Sequence, residues 1–176
     1  METILETPRL VLREMTFGDL DFLAGMLADP EVMRYYPRPL DRGESAVWLR
    51  RQLDRYASHG YGFWLALDRA TGEPRGQAGL VPPRGIEGAD ETDVGYLIHR
   101  PYWRRGLATE AAAACRDHAF DVLGRPRLIC LIRPENLPSQ GVARKIGLAA
   151  CGLRVVLAGF EHLVFSEERD GRFGLS

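Results

Sequence analysis

The spacing of hydrophobic residues in the first third of the chain changes from the period of a strand to that of a helix. Apolar and polar residues alternate over residues 8–14, which predicts a half-buried strand. Thr16 can cap the helix that follows, with Asp19 in its first turn. Asp29-Pro30 restarts a short helical turn, because proline suits the first position of a helix. The spacing then predicts a longer helix over Asp41–Ser58.

This longer helix carries signals at both ends. Asp41 and Glu44 stand at the spacing of a capping box, in which each side chain bonds the backbone of the other residue. Gly60 suits the left-handed conformation that ends many helices. The residues expected on the buried side are Val47, Leu49, Leu53 and Tyr56.

In the rest of the chain, short apolar runs that predict strands alternate with helical patterns. The predicted strands are residues 63–67, 76–81, 93–99, 127–132, 149–157 and 160–167, the last two as a hairpin. Helices are predicted over 106–123 and 136–146, and an exposed loop over 82–90. The chain shows no internal repeat or linker. We therefore predict one mixed α/β domain over residues 1–176, with its core at about 5–167 and a short C-terminal tail.

Composition narrows the classes of function. Hydrophobic residues at 45% and charged residues at 27% are typical of a soluble globular protein. The net charge of −1 argues against a general nucleic-acid binder. No run approaches the roughly 20 apolar residues of a membrane span. Met1-Glu2-Thr3 lacks the basic and apolar regions of a signal peptide, so we expect a cytoplasmic protein that binds neither nucleic acid nor membrane.

Cysteine and histidine residues show no metal-binding pattern. Cys115, Cys130 and Cys151 are scattered without C-x-x-C spacing, so we expect three small apolar core residues and neither a disulfide framework nor a zinc site. The spacing of the four histidines is also unlike that of metal ligands. We expect His118, on a predicted helix, to be structural.

The connection between the predicted strand ending at His99 and the helix beginning near Gly106 carries the strongest chemical signal. Backbone N–H groups at a helix N-terminus lack intrahelical partners and can bind an anion such as a pyrophosphate. Gly106 permits close approach, and Arg104 and Arg105 can add charge-assisted bonds. By itself this turn is equally consistent with an arginine-bearing loop that caps a helix. The chain lacks both G-x-x-x-x-G-K-[ST] and G-x-G-x-x-G, the rival phosphate motifs.

The sequence around this turn resembles the GNAT acetyltransferases, and in particular the branch of the Rim-type ribosomal-protein N-terminal acetyltransferases. The segments that carry the resemblance are residues 93–98 with 102–111, 7–13, 29–35, and 136–139 with 143–148. They keep the order and spacing of the family and span roughly residues 5–165. Two positions depart from the usual pattern. Trp103 replaces the Gln or Arg that opens most such turns, as it often does in the Rim-like branch, and Leu148 replaces a common Phe.

The resemblance implies a GNAT-like fold, whose mixed, mostly antiparallel sheet splays apart at an acetyl-CoA site and is flanked by helices. It implies N-acetyl transfer from acetyl-CoA to a primary amine, either a protein N-terminus or a small molecule, without a metal. The alternative is a non-catalytic acyl-CoA-binding regulatory domain. Dimers are common in the family, so a homodimer also stays open. The residues implied to contact acetyl-CoA are Leu97, Ile98, Arg104, Arg105, Gly106, Leu107, Ala108, Thr109, Asn136 and Ser139.

The resemblance also suggests catalytic residues. Asp93 stands where relatives often carry a Glu that acts as base, and Glu91, two residues earlier on the same strand face, is the rival. Either one could instead be a solvated carboxylate at a strand edge. The chain has no Tyr after Tyr102, so Ser139 replaces the usual Tyr as donor to the leaving thiolate. The residues expected at the acceptor pocket are Tyr35, Tyr36 and His162.

Overall fold

A mixed sheet with helices on both faces forms the computed structural model, which describes residues 3–86 and 89–169. The strands are β1 (Thr3–Glu6), β2 (Leu10–Arg13), β3 (Phe63–Asp68), β4 (Pro74–Ile86), β5 (Ala89–Ile98), β6 (Arg127–Ile132), β7 (Ala149–Leu157) and β8 (Phe160–Glu168). The helices are α1 (Leu20–Leu27), α2 (Arg42–His59), α3 (Leu107–Asp117) and α4 (Leu137–Lys145). Short 3-10 turns span Phe17–Asp19 and Arg100–Tyr102, and a π-helical turn spans His118–Val122.

The sheet has the strand order β1-β2-β3-β4-β5-β6-β8-β7. Neighbouring strands are antiparallel except β5 and β6, which are parallel. This parallel pair is joined only at Thr92 with Leu128 and Asp93 with Ile129, although both strands continue beyond these residues. The two strands therefore diverge towards their C-terminal ends. The expected fold, a mostly antiparallel mixed sheet that splays and is flanked by helices, is confirmed.

Two hydrophobic clusters cover the two faces of the sheet. On one face the fully buried residues Ala111, Ala112, Cys115 and Ala119 let α3 and its π-helical turn lie close to the strands. On the other face α1 and α2 pack over β3 to β5 through side chains such as Leu49. Within the described residues, no helix combines the length and the apolar character needed to cross a membrane.

The predicted loop over residues 82–90 is wrong. β4 continues to Ile86 and β5 begins at Ala89, while residues 87–88 lie outside the described residues. Pro82 and Pro83 fall in a register shift of the β4–β5 ladder, where a residue without an N–H is tolerated. β1 was not predicted, and residues after 169 in the predicted tail are also outside the described part of the chain.

The capping signals of α2 are confirmed. The Glu44 N–H donates to Asp41 Oδ1 (2.8 Å) and the Asp41 N–H donates to Glu44 Oε2 (3.0 Å). Gly60 ends the helix at a φ of 77°. The predicted buried side is partly wrong, because Val47 is 61% exposed. The fully buried positions, at helical spacing on the side facing the sheet, are Ser45, Leu49 and Gln52.

The three cysteines lie in different environments. Cys115 and Cys130 are buried, as expected, whereas Cys151 is exposed on β7. The expectation for Cys151 is wrong because β7 ends the strand order and has a neighbour on one side only. Residues 149–152 of this edge strand are all exposed.

Candidate active site

A cavity of about 390 Å³ opens where β5 and β6 diverge. Its walls are the turn at Tyr35–Pro37, one side of α2, the ends of both strands, the start of α4 and the β7–β8 connection. Six of the residues predicted for catalysis or binding line this cavity, namely Tyr35, Tyr36, Asp93, Asn136, Ser139 and His162. The fold thus collects residues that are up to 127 positions apart, from 35 to 162, around one space.

Aromatic side chains form one wall of the cavity. The Trp48 ring meets the Tyr36 ring edge-on and the Phe63 ring at an angle, each with centroids 6.1 Å apart. Its indole N–H donates to Gln77 Oε1 (3.1 Å), so both the apolar and the polar part of Trp48 are held in place. Trp64, by contrast, is fully buried in the core.

The structural role expected for His118 is confirmed. Its ring packs edge-on against Trp64 with centroids 5.4 Å apart. Burial lowers the pKa of His118 below its ordinary value, which favours the neutral imidazole in this apolar setting. His118 is therefore part of the packing between α3 and the sheet.

Asp93 lies at the fork between β5 and β6. Its Oδ1 accepts a hydrogen bond from the backbone N–H of Leu131 (3.3 Å), which the diverging strands leave without a ladder partner. Burial raises the pKa of Tyr36, Tyr96 and Cys130, and the negative charge of Asp93 is a further cause of the rise in each. The phenols of Tyr36 and Tyr96 and the thiol of Cys130 therefore stay protonated. Asp93 is the carboxylate whose charge acts on all three groups.

The structure gives Glu91 a different environment. Its buried side chain accepts a bond from Arg127 Nη1 (2.6 Å) across the β5–β6 pair, and the same guanidinium lies 3.4 Å from Glu168. Glu91 is not among the described residues that line the cavity. A carboxylate held this way stabilises the part of the sheet where β5 and β6 are paired. We therefore assign Glu91 no part in the chemistry proposed below.

The start of α4 places two polar side chains at the cavity. Asn136 caps the helix, because its Oδ1 accepts from the Ser139 N–H (3.2 Å). This bond uses neither the Asn136 Nδ2 nor the Ser139 hydroxyl, so both groups can serve a ligand as well. From β5, the Tyr96 hydroxyl donates to the Ser139 carbonyl oxygen (2.9 Å) and ties α4 to the sheet across the gap.

Tyr96 is a cavity residue that the sequence pattern did not reveal. A tyrosine was sought on the penultimate helix, whereas this one comes from β5, three positions after Asp93. Because side chains alternate along a strand, Asp93 and Tyr96 lie on opposite faces of the sheet. Asp93 faces the α2 side near Tyr36, and Tyr96 faces the α4 side at Ser139. The gap between β5 and β6 joins these two sides.

The turn before α3 has the backbone geometry of an anion-binding loop. Arg104 (φ 61°) and Gly106 (φ 76°) both adopt the left-handed conformation, and Gly106 is the N-cap of α3. Among the hydrogen bonds of the described residues, none uses a backbone N–H from Arg104 to Thr109. The Trp103 indole donates to the Ile98 carbonyl oxygen (2.6 Å) and holds the turn against the end of β5. These amides can therefore bind a pyrophosphate.

The two arginines of this turn differ in their surroundings. Both are exposed, but the Arg105 guanidinium lies 5.6 Å from the centroid of the Tyr102 ring. Arg75 approaches the same ring at 4.1 Å. A second cavity of about 420 Å³ beside α3 is lined by residues that include Arg9, Arg75, Tyr102 and Arg105. Arg104 is not among the residues lining that cavity, so the two side chains are directed differently.

The register of β5 decides which of its backbone groups face the gap. The His99 N–H donates to the Arg75 carbonyl oxygen (2.8 Å), and the pairing of β5 with β4 continues without a shift from there to Leu97. Backbone groups alternate in direction along a strand, so Leu97 faces β4 whereas Tyr96 and Ile98 face the open side. The resemblance implied that Leu97 and Ile98 contact acetyl-CoA, whereas this register makes the backbone groups of Tyr96 and Ile98 the ones that can bond a ligand in the gap.

Glu110 connects two of the sequence motifs. From the first turn of α3, its carboxylate accepts bonds from the Thr7 hydroxyl (2.6 Å), the Arg9 N–H (2.8 Å) and Arg9 Nε (2.7 Å). Burial raises the pKa of Glu110, but the bonds from Thr7 and Arg9 outweigh it, so the pKa lies below its ordinary value. This contact anchors the N-terminus of α3, and with it the turn, to the start of β2.

We expect Glu110→Gln to lower the free energy of unfolding by about 1–2 kcal/mol at pH 7, because charge-assisted bonds to a partly buried carboxylate are lost. Urea denaturation measures this difference. A lowered folded-state pKa stabilises the protein above the unfolded-state pKa of about 4.3, and that contribution disappears as the pH falls through the folded-state value. The difference between wild type and variant should therefore shrink below about pH 4.3. A difference that is independent of pH would contradict the role of the charge.

Comparison with known proteins agrees with this geometry. Residues 9–149 match the family described as "Acetyltransferase (GNAT) domain". The protein YkkB of Bacillus subtilis (strain 168), whose function is uncharacterised, is 38% identical over 148 residues, which cover 84% of this chain and 86% of that protein. An acetyltransferase structure from Agrobacterium tumefaciens str. C58 superposes with a TM-score of 0.83 at 28% identity, covering 96% of this chain and 95% of the other.

Rim-type enzymes are among the structural neighbours. RimL, a ribosomal L7/L12 α-N-protein acetyltransferase solved in complex with coenzyme A, gives a TM-score of 0.76 and covers 97% of this chain and 99% of its own. Its identity to this chain is 16%, so the likeness concerns the fold. The match over residues 9–149 and the relatives of higher identity establish that this chain is an N-acetyltransferase of the GNAT family.

Proposed function

We propose that this enzyme transfers the acetyl group of acetyl-CoA to a primary amine, of a protein N-terminus or a small molecule, by direct attack of the amine. The observation that carries this proposal is the gap between β5 and β6. It joins a cavity with a carboxylate on one face of the sheet to polar groups of α4 on the other. The free amides of the turn before α3 lie at the end of the same strand.

In this proposal acetyl-CoA enters from the α3–α4 side. The backbone amides from Arg104 to Thr109 bind the pyrophosphate, and Arg104 adds a cationic side chain. The pantetheine arm lies along β5 as an added strand, with the backbone of Tyr96 and Ile98 as its partners. Asn136 holds the arm through Nδ2. RimL, of the same fold, was solved in complex with coenzyme A, which supports coenzyme A as the ligand but does not bear on the individual contacts.

The reaction requires a neutral amine, a polarised acetyl carbonyl group and a stabilised leaving thiolate. We assign Asp93 to accept the proton of the incoming ammonium, through a water molecule because the aspartate side chain is short. The Ser139 hydroxyl donates a hydrogen bond to the thiolate of the product. Tyr96 is protonated, and its bond to the Ser139 carbonyl oxygen keeps the first turn of α4 in position. Tyr35, Tyr36 and His162 contact the acceptor.

A thiol-release assay with acetyl-CoA and a panel of amines tests this function. We expect release of CoA above the rate without acceptor for at least one amine, with a mass gain of one acetyl group on that amine. The panel should include N-terminal peptides as well as small amines. Tight binding of acetyl-CoA without turnover on the whole panel would contradict the proposal and favour the regulatory alternative.

Ser139→Ala should lower kcat about tenfold, because the thiolate loses one hydrogen bond that water replaces only in part. The Kd for CoA should change by less than about twofold, since the helix cap uses the Ser139 N–H and not its hydroxyl. Steady-state kinetics and calorimetry measure the two quantities. Ser58→Ala, whose hydroxyl bonds the Asp54 carbonyl oxygen on α2, is the control. Wild-type turnover in Ser139→Ala would remove this residue from the mechanism.

A further inference from the structure

We propose that the hydroxyl of Tyr36 donates a hydrogen bond to the carbonyl oxygen of the acetyl group and stabilises the negative charge that this oxygen acquires when the amine attacks. The inference rests on the proposed function and adds a catalytic residue to it. The family resemblance implied only that Tyr36 lies at the acceptor pocket.

The Tyr36 ring is anchored at the aromatic wall of the cavity. It meets the Trp48 ring edge-on, and Trp48 is in turn held by the Phe63 ring and by the bond of its indole N–H to Gln77 Oε1 (3.1 Å). The backbone N–H of Tyr36 donates to the Met33 carbonyl oxygen (2.8 Å). Because both the backbone and the ring are held, the hydroxyl is positioned before any ligand binds.

The Tyr36 hydroxyl lies close to the gap between β5 and β6. Tyr36 lines the cavity together with Asp93 of β5 and Cys130 of β6. Asp93 faces the α2 side, whereas Cys130 belongs to the core cluster on the α3 side. Burial raises the pKa of Tyr36, and Asp93 and Cys130 raise it further, so the hydroxyl is close to both residues and keeps its proton. The gap that joins the two sides is where the acetyl group arrives in the proposed function.

The hydroxyl of Tyr36 is available to a ligand. Among the hydrogen bonds of the described residues, none uses this hydroxyl, whereas the Tyr96 hydroxyl donates to the Ser139 carbonyl oxygen. Phenylalanine would fill the same space against the aromatic wall, so packing alone does not account for the hydroxyl. The neighbouring Tyr35 is directed differently, because its ring lies 6.0 Å from the guanidinium of Arg34, an exposed side chain.

The proposed reaction creates negative charge beside this hydroxyl. Asp93 is neutral once it has accepted the ammonium proton. Attack of the neutral amine then forms the C–N bond and moves the π electron pair of the carbonyl group onto its oxygen. This pair returns as the C–S bond breaks and the sulfur leaves with the bonding pair, and the surplus proton on the nitrogen passes to the sulfur through water. A donor aimed at the oxygen binds it more strongly while it is charged, which lowers the barrier.

Tyr36→Phe tests the inference, because it removes only the hydroxyl. We expect kcat to fall about 20-fold, within the range for a lost hydrogen bond to a charged group, while KM for acetyl-CoA stays within about twofold of wild type. The loss should be equal for acceptors of different basicity, because this hydroxyl takes no proton from the amine. Unchanged kcat, or a loss that grows with the basicity of the acceptor, would overturn the inference.

Tyr61→Phe is the matched control. It removes the hydroxyl of another buried tyrosine, which accepts a bond from Arg125 Nη2 (2.9 Å) and is not among the described residues that line the cavity. This variant should keep nearly the kcat of wild type. An equal fall in kcat for both variants would overturn the assignment of Tyr36, since the loss would then not depend on the position of the hydroxyl.

The carbonyl stretch of bound acetyl-CoA separates this inference from the proposed function. Infrared spectra of the complex with acetyl-CoA that is isotope-labelled at the carbonyl carbon require no turnover. A hydrogen bond to the oxygen weakens the C=O bond, so we expect the band at a lower frequency in the wild-type complex than in the Tyr36→Phe complex.

Each outcome of the infrared experiment is decisive. The expected difference without acetylation of any amine would support the inference while the proposed function failed. Identical bands in the two complexes would overturn the inference, and acetylation of an amine by the same protein would then leave the proposed function standing. A wild-type protein that bound no acetyl-CoA would overturn both.

Discussion

We expect Asp93→Asn to lower kcat for acetyl transfer by about 100-fold, within the range that a positioned general base contributes. Asparagine keeps an oxygen that can accept from the Leu131 N–H, so the fork between β5 and β6 should be preserved. The amide cannot accept the ammonium proton, however. We therefore expect the Kd for CoA to stay within about twofold of wild type.

The pH dependence sharpens this prediction. An α-amine with a pKa of about 8 is partly neutral near pH 7, whereas an alkyl amine near 10.4 is almost wholly protonated. The loss in Asp93→Asn should therefore be larger for the alkyl amine, and it should diminish as the pH rises towards the pKa of the amine. Rate profiles for two acceptors of different basicity measure this. A loss that is equal for both acceptors at all pH values would contradict the role of Asp93 as base.

Glu91→Gln is the matched control for this experiment, because it removes a carboxylate two positions away on the same strand. We expect Glu91→Gln to lower the free energy of unfolding, because the bond to Arg127 is lost, and to leave the chemical step unchanged. If Glu91→Gln instead lowered kcat more than Asp93→Asn while the free energy of unfolding stayed unchanged, the two assignments would have to be exchanged.

Arg104→Ala combined with Arg105→Ala should raise the Kd for CoA by about 10- to 100-fold, the range for loss of hydrogen bonds to a charged group. The backbone amides of the turn remain, so binding should weaken without being abolished. We expect the single variant Arg104→Ala to account for most of the loss, since Arg105 lies over Tyr102 at the second cavity. Calorimetric titration of CoA measures each variant.

Arg100→Ala is the control for the arginine pair. Arg100 precedes the same turn and is exposed, but its side chain is paired with Asp29 (2.8 Å). The Arg100→Ala substitution changes the charge of the region without removing a proposed phosphate contact. Higher ionic strength should reduce the difference between wild type and the double variant, because exposed charges are screened. Unchanged affinity for CoA in the double variant would disprove the proposed position of the pyrophosphate.

The sequence by itself determined the features that depend on neighbouring residues. The capping box of Asp41 and Glu44, the stop at Gly60 and the alanine-rich side of α3 each depend on contacts within a few residues. Residues 127–132 and 149–157 were predicted with the bounds they have. The turn before α3 was found for the same reason, because its amides and arginines are consecutive along the chain.

Only the tertiary structure decided how these segments combine into a site. The pattern of the sequence treats Glu91 and Asp93 alike. In the structure Glu91 bonds Arg127 across the paired part of β5 and β6, whereas Asp93 lies where the two strands begin to diverge. The register with β4 directs the backbone groups of Tyr96 towards the gap and those of Leu97 towards β4, because backbone groups alternate in direction along a strand.

The side of α2 that lines the cavity was likewise not predicted from the sequence. Its position depends on the rotation of α2, which the burial of Leu49 and Gln52 against the sheet determines. Local patterns therefore specified most of the elements and the turn before α3. Strand register and helix packing, which join residues far apart in the chain, decided which side chains face the cavity.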